Sequence, residues 1–200
     1  MLTNMDKLYE SVAANGPVCV GLDTEISYLP TTDTAKTAGE NVVAFNRALI
    51  DATKGVAGCY KVQIAYYEMY GVPGMKAFEE TLKYAAEKGL IVIADAKRND
   101  IGSTAACYSK AFLGNTDLNG NALRAFPADY LTVNGYLGTD GIQPFAQDCS
   151  ERNKGIFVLV KTSNPSSGEL QNLLLENGLP VYEYMGGLVE KWGESTVGRY

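Results

Sequence analysis

Five short apolar segments alternate along the chain with segments whose apolar residues follow helical spacing. The five segments are VCVGLD (18–23), CYKVQI (59–64), LIVIADAK (90–97), YLTVN (130–134) and GIFVLVKTS (155–163). Their apolar residues are mostly continuous and do not alternate with polar ones, which is typical of parallel strands buried on both faces. The alternation therefore predicts an α/β fold with a parallel sheet covered by helices.

The helical segments have the apolar stripes of amphipathic helices. The stripes are Val42, Phe45, Leu49 and Ala52; Phe78, Leu82 and Ala85; Ile142, Phe145, Ala146 and Cys149; and Tyr182, Met185, Val189 and Trp192. Gly55 and Gly89 are expected to end the first two helices, and the turn-rich stretch 113–126 is expected to form a surface excursion. The pattern leaves open whether the sheet is doubly wound or a barrel, but in both folds function gathers at the carboxyl ends of the strands.

Composition excludes several classes of function. A net charge of -6 and the lack of a basic run argue against binding to nucleic acid or an anionic membrane. The chain has four widely spaced cysteines and no histidine, so a zinc site is not expected and acid–base chemistry falls to Lys, Asp, Glu, Tyr or Cys. One domain over residues 1–200 is expected. The absence of a bilayer-length apolar run predicts a cytoplasmic protein with reduced thiols.

Opposite charges gather at the end of the third predicted strand, in the stretch LIVIADAKRNDIGST (90–104). Asp95 and Lys97 are two residues apart, so they point to the same face of a strand. Asp100 can return to the strand end, and Lys61 on the second strand could lie beside them. The spacing alone allows a surface ion pair, or a magnesium site of the D-x-K-x-x-D type. A dinucleotide site is not expected, because no glycine-rich fingerprint follows a predicted strand.

The stretch DAKRNDIGST (95–104) resembles the signature of the orotidine 5'-phosphate decarboxylase family. Further segments resemble the longer, bacterial-type branch of that family in the same order. They are GLD (21–23), KVQIAYYEMYG (61–71), TVNGYLG (132–138) and GIFVLVKTSNPSSGELQ (155–171). The resemblance implies a (β/α)8 barrel that acts as a homodimer. It also implies an enzyme that decarboxylates orotidine 5'-phosphate to uridine 5'-phosphate without a metal or an organic cofactor.

The resemblance also implies roles for individual residues. Lys97 resembles the family's proton donor, and Asp95 resembles the carboxylate that lies against the leaving carboxylate. Lys61 resembles the lysine that flanks this aspartate and contacts the ribose. Asp23 resembles the acceptor for a ribose hydroxyl, and Ser163 resembles the hydroxyl that reads the pyrimidine.

Three more residues of the signature resemble residues that cross the dimer interface into the partner's site. They are Asp100, Ile101 and Thr104. The catalytic candidates are thus Lys97, Asp95, Lys61 and Asp100, and the substrate-binding candidates are Asp23, Ile101, Thr104 and Ser163. The expected partners are a nucleotide substrate and a second copy of the chain with shared active sites.

The chain also departs from the family pattern. Gly135 stands where the branch often has proline. Only about five of the eight β/α units can be counted, and no counterpart of the phosphate-binding arginine is found, since Arg199 follows the helix after the fifth strand. We therefore expect an incomplete barrel. Two alternatives stay open: a magnesium-dependent sugar-phosphate lyase of the same superfamily, and a catalytically inactive barrel fragment.

Overall fold

The computed structural model describes residues 2–199 and contains a five-stranded parallel sheet and a separate two-stranded ribbon. The strands are β1 (Cys19–Gly21), β2 (Cys59–Gln63), β3 (Val92–Arg98), β4 (Thr116–Leu118), β5 (Asn121–Leu123), β6 (Tyr130–Asn134) and β7 (Gly155–Leu159). Each of the five predicted apolar segments contains or overlaps a strand of the large sheet. The prediction of a parallel α/β sheet is confirmed.

The large sheet has the strand order β1-β2-β3-β6-β7, and every neighbouring pair is parallel. The order follows the chain without a reversal, whereas a doubly wound sheet reverses its order at the point where ligands bind. Sequential order is the arrangement of (β/α)8 barrels. Of the two sheet types that the sequence left open, the structure has the barrel type.

Eight α-helices precede, connect or follow the strands of the described chain. They are α1 (Asn4–Asn15), α2 (Ala38–Thr53), α3 (Ala65–Glu68), α4 (Gly71–Glu87), α5 (Gly102–Phe112), α6 (Thr139–Arg152), α7 (Gly168–Gln171) and α8 (Val181–Gly193). Helix α2 begins with a capping box in which Thr37 and Glu40 cap each other's backbone. Helix α4 is followed by Gly89 at φ 72°, the left-handed stop that the sequence predicts.

Side chains alternate between the two faces of each strand. Outward residues such as Val62, Ala94 and Leu131 are buried against the helices in the main core. Inward residues at the amino ends of the strands include Cys59, Ile93 and Tyr130, which form a smaller apolar cluster with Leu8 of α1. Helix α1 thus closes the amino end of the sheet, and the carboxyl end carries the charged residues.

Two elements are absent from the sequence-based prediction. Helix α1 has Met5, Leu8, Tyr9 and Val12 at helical spacing behind a Thr3–Asp6 capping box, a local signal that was not singled out above. Distant residues also hold it, including the hydrogen bond that the Tyr130 hydroxyl donates to the Asn4 carbonyl at 2.5 Å. The stretch 113–126 is largely exposed, as expected, but it contains the antiparallel ribbon of β4 and β5. Asn119 and Gly120 form its turn, both with positive φ, which is the usual signal of a tight hairpin.

Gly135 has a packing reason that the sequence does not show. A Cβ atom at this position would lie 2.9 Å from the Met185 sulfur and 3.1 Å from Cγ1 of Val158. A proline ring would need still more room. The missing side chain therefore allows α8 to approach the end of β6.

Candidate active site

Four charged side chains meet on the inner face of the sheet, at the carboxyl ends of its first three strands. Asp23 follows β1, Lys61 lies on β2, and Asp95 and Lys97 lie on β3. The parallel register places Gly21 beside Lys61 and Gln63 beside Asp95. Because inward positions alternate along each strand, Asp23, Lys61 and Asp95 face the same space.

These side chains form a row with alternating charges, here called the charged row. The Lys61 ammonium lies 2.9 Å from Asp23 Oδ1 and 3.3 Å from Asp95 Oδ2. The Lys97 ammonium lies 2.7 Å from Asp95 Oδ1. The row Asp23, Lys61, Asp95, Lys97 thus has two negative and two positive groups, each beside a group of opposite sign.

Asp95 is the most enclosed member of the charged row, with 9% of its side chain exposed. Besides the two ammonium groups, it accepts a hydrogen bond from Gln63 Nε2 at 2.8 Å and one from Thr132 Oγ1 at 2.8 Å. Four donors therefore surround one carboxylate. Removing a carboxylate from water costs several kcal/mol, and such a set of partners offsets that cost.

Within the charged row, neighbouring groups favour the ionised forms of Asp95 and Lys61. Burial disfavours the charge on Asp95, but the hydrogen bonds from Lys97 and Thr132 and the two nearby ammonium groups outweigh burial and lower the pKa of Asp95 below its usual value. Burial likewise disfavours the charge on Lys61, but Asp23 and Asp95 outweigh it and raise the pKa of Lys61. At neutral pH both groups are charged.

The backbone of β3 bends where Lys97 leaves the strand. Lys97 has φ 46°, a left-handed conformation that is uncommon for a lysine, and the register with β6 shifts between Ala94 and Arg98. Such an irregularity re-aims a side chain. The Thr132 hydroxyl stabilises the bend, because it accepts a hydrogen bond from the Lys97 amide at 2.9 Å while it donates to Asp95.

A buried polar cluster holds the end of β1 and with it Asp23. The Tyr67 hydroxyl donates to the Leu22 carbonyl at 3.0 Å and accepts from Asn46 Nδ2 at 2.8 Å. Asn46 in turn accepts from the Thr24 hydroxyl at 2.6 Å. Leu22 and Thr24 flank Asp23, so the cluster fixes the backbone on both sides of this carboxylate.

Four predicted site residues lie outside the charged row. Asp100 follows β3, and its carboxylate accepts a hydrogen bond from the Ile101 amide at 2.8 Å. Ile101 and Thr104 are exposed at the start of α5, and Ser163 is exposed in the loop after β7. Within the described residues, the second carboxylate of the row is thus Asp23 and not the Asp100 that the spacing allowed.

Gln63 and Thr132 are site residues that the sequence analysis did not single out. Both lie at inward positions of their strands. Gln63 is two residues after Lys61 on β2, and Thr132 directly follows the outward Leu131 on β6. Because side chains alternate along β2, Gln63 points to the same face as Lys61, and this spacing could have identified Gln63 from the sequence. Thr132 has no such signal, because its contact with Asp95 depends on the pairing of β3 with β6.

The charged row offers few free oxygen atoms that could bind a metal ion. Both oxygens of Asp95 are already occupied by donors from protein side chains. Among residues 2–199, no group of three or more Asp, Glu, His or Cys side chains is arranged to hold a metal ion. No helix in the same range is both long enough and apolar enough to cross a membrane.

Comparison with protein families gives a match over residues 16–185 to the orotidine 5'-phosphate decarboxylase / HUMPS family. The chain is similar to orotidine 5'-phosphate decarboxylase of Clostridium novyi, with 42% identity over all of this chain and 67% of the relative. It is also similar to the enzyme of that name from Clostridium botulinum, with 43% identity over 97% of this chain and 66% of the relative.

A solved structure supports the same relation. The structure of Leishmania donovani OMP decarboxylase superposes with a TM-score of 0.77 at 31% identity, over 98% of this chain and 68% of that one. The chain spans about two thirds of the length of these relatives.

Proposed function

The chain belongs to the orotidine 5'-phosphate decarboxylase / HUMPS family, and on this basis we propose that the protein decarboxylates orotidine 5'-phosphate to uridine 5'-phosphate in pyrimidine synthesis. The observation that carries the proposal is the charged row at the carboxyl ends of the first three strands. The relatives named above supply the substrate, since each is named for this reaction.

Decarboxylation leaves an electron pair on the ring carbon when the bond to the carboxylate breaks. The ring offers this pair little resonance stabilisation, so the catalyst must provide fixed positive charge where negative charge develops. Lys97 meets this need in our proposal. Its side chain is 47% exposed, so its ammonium can face a substrate while Asp95 holds it. The same ammonium then gives a proton to the carbanion as carbon dioxide leaves.

The other members of the charged row have supporting roles in the proposal. Asp95 orients Lys97 and keeps it charged, and it repels the substrate carboxylate, which favours the loss of that group. Lys61 and Asp23 are partly exposed, so they can bind the ribose hydroxyls. Ser163 would bind the pyrimidine from the loop after β7.

The alternative of a magnesium-dependent sugar-phosphate lyase predicts a different use of the same carboxylates. Magnesium binds through carboxylate oxygens and keeps several waters. In this chain, side-chain donors already take both oxygens of Asp95, and two of the four donors are cations that would repel a metal ion. The arrangement therefore favours the decarboxylase proposal.

The test is turnover after removal of metal ions. The protein is treated with EDTA, and carbon dioxide release from orotidine 5'-phosphate is measured with and without added Mg²⁺. We expect the same rate in both samples, because lysine and carboxylate side chains do the chemistry. A rate that returns only with Mg²⁺, or no uridine 5'-phosphate in either sample, would contradict the proposal.

We further propose that the protein is a homodimer with shared active sites and that it is located in the cytoplasm. Asp100, Ile101 and Thr104 support the shared site, since they lie just beyond the charged row and Ile101 is 55% exposed. An exposed isoleucine of this kind is suited to a contact with a second chain. The four cysteines are free thiols, which fits a reducing compartment.

Mixing two inactive variants tests the shared site. Lys97→Ala and Asp100→Ala chains are each expected to be inactive alone. If Asp100 acts in the partner's site, a mixed dimer has one intact site, so an equal mixture should recover up to about a quarter of the wild-type rate. Carbon dioxide release is measured after the two variants have exchanged subunits, and size-exclusion chromatography verifies that the protein is a dimer. No recovery in a confirmed mixed dimer would contradict shared sites.

A further inference from the structure

Two cysteines are direct neighbours at the amino ends of β1 and β2. Cys19 and Cys59 are partners in the parallel register, two pairs before Gly21 and Lys61. Side chains of register partners point to the same face, and adjacent strands lie about 4.8 Å apart. A disulfide joins Cα atoms about 4.4 to 6.8 Å apart, so this spacing is within its reach.

The two thiols differ in their surroundings. Cys59 is buried in the small apolar cluster with Ile93 and Tyr130, whereas Cys19 is exposed. Helix α1 covers this end of the sheet, and Ser11 of α1 donates a hydrogen bond to the Gly58 carbonyl at 2.7 Å. A reagent can therefore reach Cys19 first, while Cys59 is held beside it.

We propose that Cys19 and Cys59 form a redox-active dithiol, which a hydroperoxide oxidises to a reversible disulfide between β1 and β2. The bond would join β1, which leads to Asp23, to β2, which carries Lys61, and it would lie two register pairs before Lys61. Nothing in the proposed decarboxylation requires these thiols. The dithiol is thus a modification site separate from the charged row.

The electrostatics favour Cys19 as the thiol that reacts first. The hydrogen bond from Cys59 lowers the pKa of Cys19, burial opposes this effect, and the Lys61 ammonium adds to it, giving a pKa of about 7. The same hydrogen bond, together with burial, raises the pKa of Cys59. Because a thiolate is the reactive form of cysteine, Cys19 is the nucleophile and Cys59 the resolving thiol.

The chemistry balances in two steps. The Cys19 thiolate attacks a peroxide oxygen; the S–O bond forms, the O–O bond breaks, and the leaving hydroxide takes a proton to give water and a sulfenic acid. The Cys59 sulfur then attacks the Cys19 sulfur, the S–S bond forms, and the S–O bond breaks. Hydroxide leaves with the Cys59 proton as water. Hydrogen peroxide is thus reduced by two electrons, and the two thiols are oxidised.

The test uses mass spectrometry of the whole chain, so it does not depend on decarboxylase activity. The protein is treated with hydrogen peroxide or with dithiothreitol, unfolded, and alkylated. After peroxide we expect an intramolecular link between the peptides that contain Cys19 and Cys59, a loss of two hydrogen masses, and two alkylated cysteines in place of four. Dithiothreitol should restore all four.

Single substitutions separate this proposal from general oxidation. Cys59→Ser should prevent the link and leave Cys19 with added oxygen, and Cys19→Ser should leave Cys59 reduced. Cys107→Ser is the control, because Cys107 is an exposed thiol on α5, away from the pair. This variant should form the link as the wild type does. If wild-type Cys19 gains oxygen while Cys59 stays reduced, or if Cys19 links only to another chain, the proposal is wrong.

Discussion

Replacing Lys97 with alanine is expected to lower the turnover of orotidine 5'-phosphate by at least about a thousandfold while the protein stays folded. The substitution removes both the positive charge beside the ring carbon and the proton that the carbanion receives. The fold should survive because the Lys97 side chain is about half exposed. In addition, Asp95 keeps Lys61, Gln63 and Thr132 as donors.

Lys83→Ala is the matched control for this experiment. Lys83 also forms an ion pair with a carboxylate, Glu79, but on the exposed face of α4 and away from the charged row. Its removal should leave turnover unchanged and alter stability by at most about 1 kcal/mol. Carbon dioxide release and circular dichroism are measured for both variants. Turnover of Lys97→Ala within a factor of a few of the wild type would exclude Lys97 as the proton donor.

The fold was largely predictable because its central strands β2, β3 and β6 are mostly buried, and all five strands lie in continuous apolar runs. A continuous apolar run needs no knowledge of its neighbours, and each of the five runs contains or overlaps a strand of the large sheet. Helix α1 was missed although its sequence carries a local signal, since Met5, Leu8, Tyr9 and Val12 follow helical spacing after the Thr3–Asp6 capping box. What the sequence does not show is that α1 covers the amino end of the sheet, because the bond between Tyr130 and Asn4 joins residues 126 positions apart.

The candidate site was predictable in part. The spacing of Asp95 and Lys97 places both near one strand end, and the structure joins them at 2.7 Å. The partner of Lys61 in the row is Asp23, which follows from β1 lying beside β2. Local spacing alone instead suggests Asp100 as the second carboxylate of the row. Thr132 required the register of β3 against β6, which no sequence pattern gives.

Asp95→Asn is expected to lower turnover by at least about a hundredfold, although it changes the shape of the side chain very little. An asparagine can still accept a hydrogen bond from Thr132. It cannot supply the negative charge between two ammonium groups, so Lys61 and Lys97 would repel each other across it. The charged row would change from zero to one positive net charge.

The same variant should change how stability depends on pH. The pKa of Asp95 is lowered in the folded protein, where its donors and the ammonium groups outweigh burial. Its ionisation therefore stabilises the fold above the unfolded-state pKa of about 3.9, and this stabilisation is lost as pH falls through the lower folded-state pKa. Asp95→Asn lacks this ionisation. Urea unfolding is measured from about pH 7 down to about pH 3, on both sides of the pKa of about 3.9 of a free aspartate. The free energy of unfolding should fall less on acidification for the variant than for the wild type.

The rate of carbon dioxide release by Asp95→Asn, relative to the wild type at neutral pH, tests the central claim most directly. The claim is that alternating charge, and not hydrogen bonding alone, makes this edge of the sheet a decarboxylation site. We predict a folded variant with at least about a hundredfold lower turnover. A folded Asp95→Asn protein that turns over orotidine 5'-phosphate at close to the wild-type rate would contradict the account.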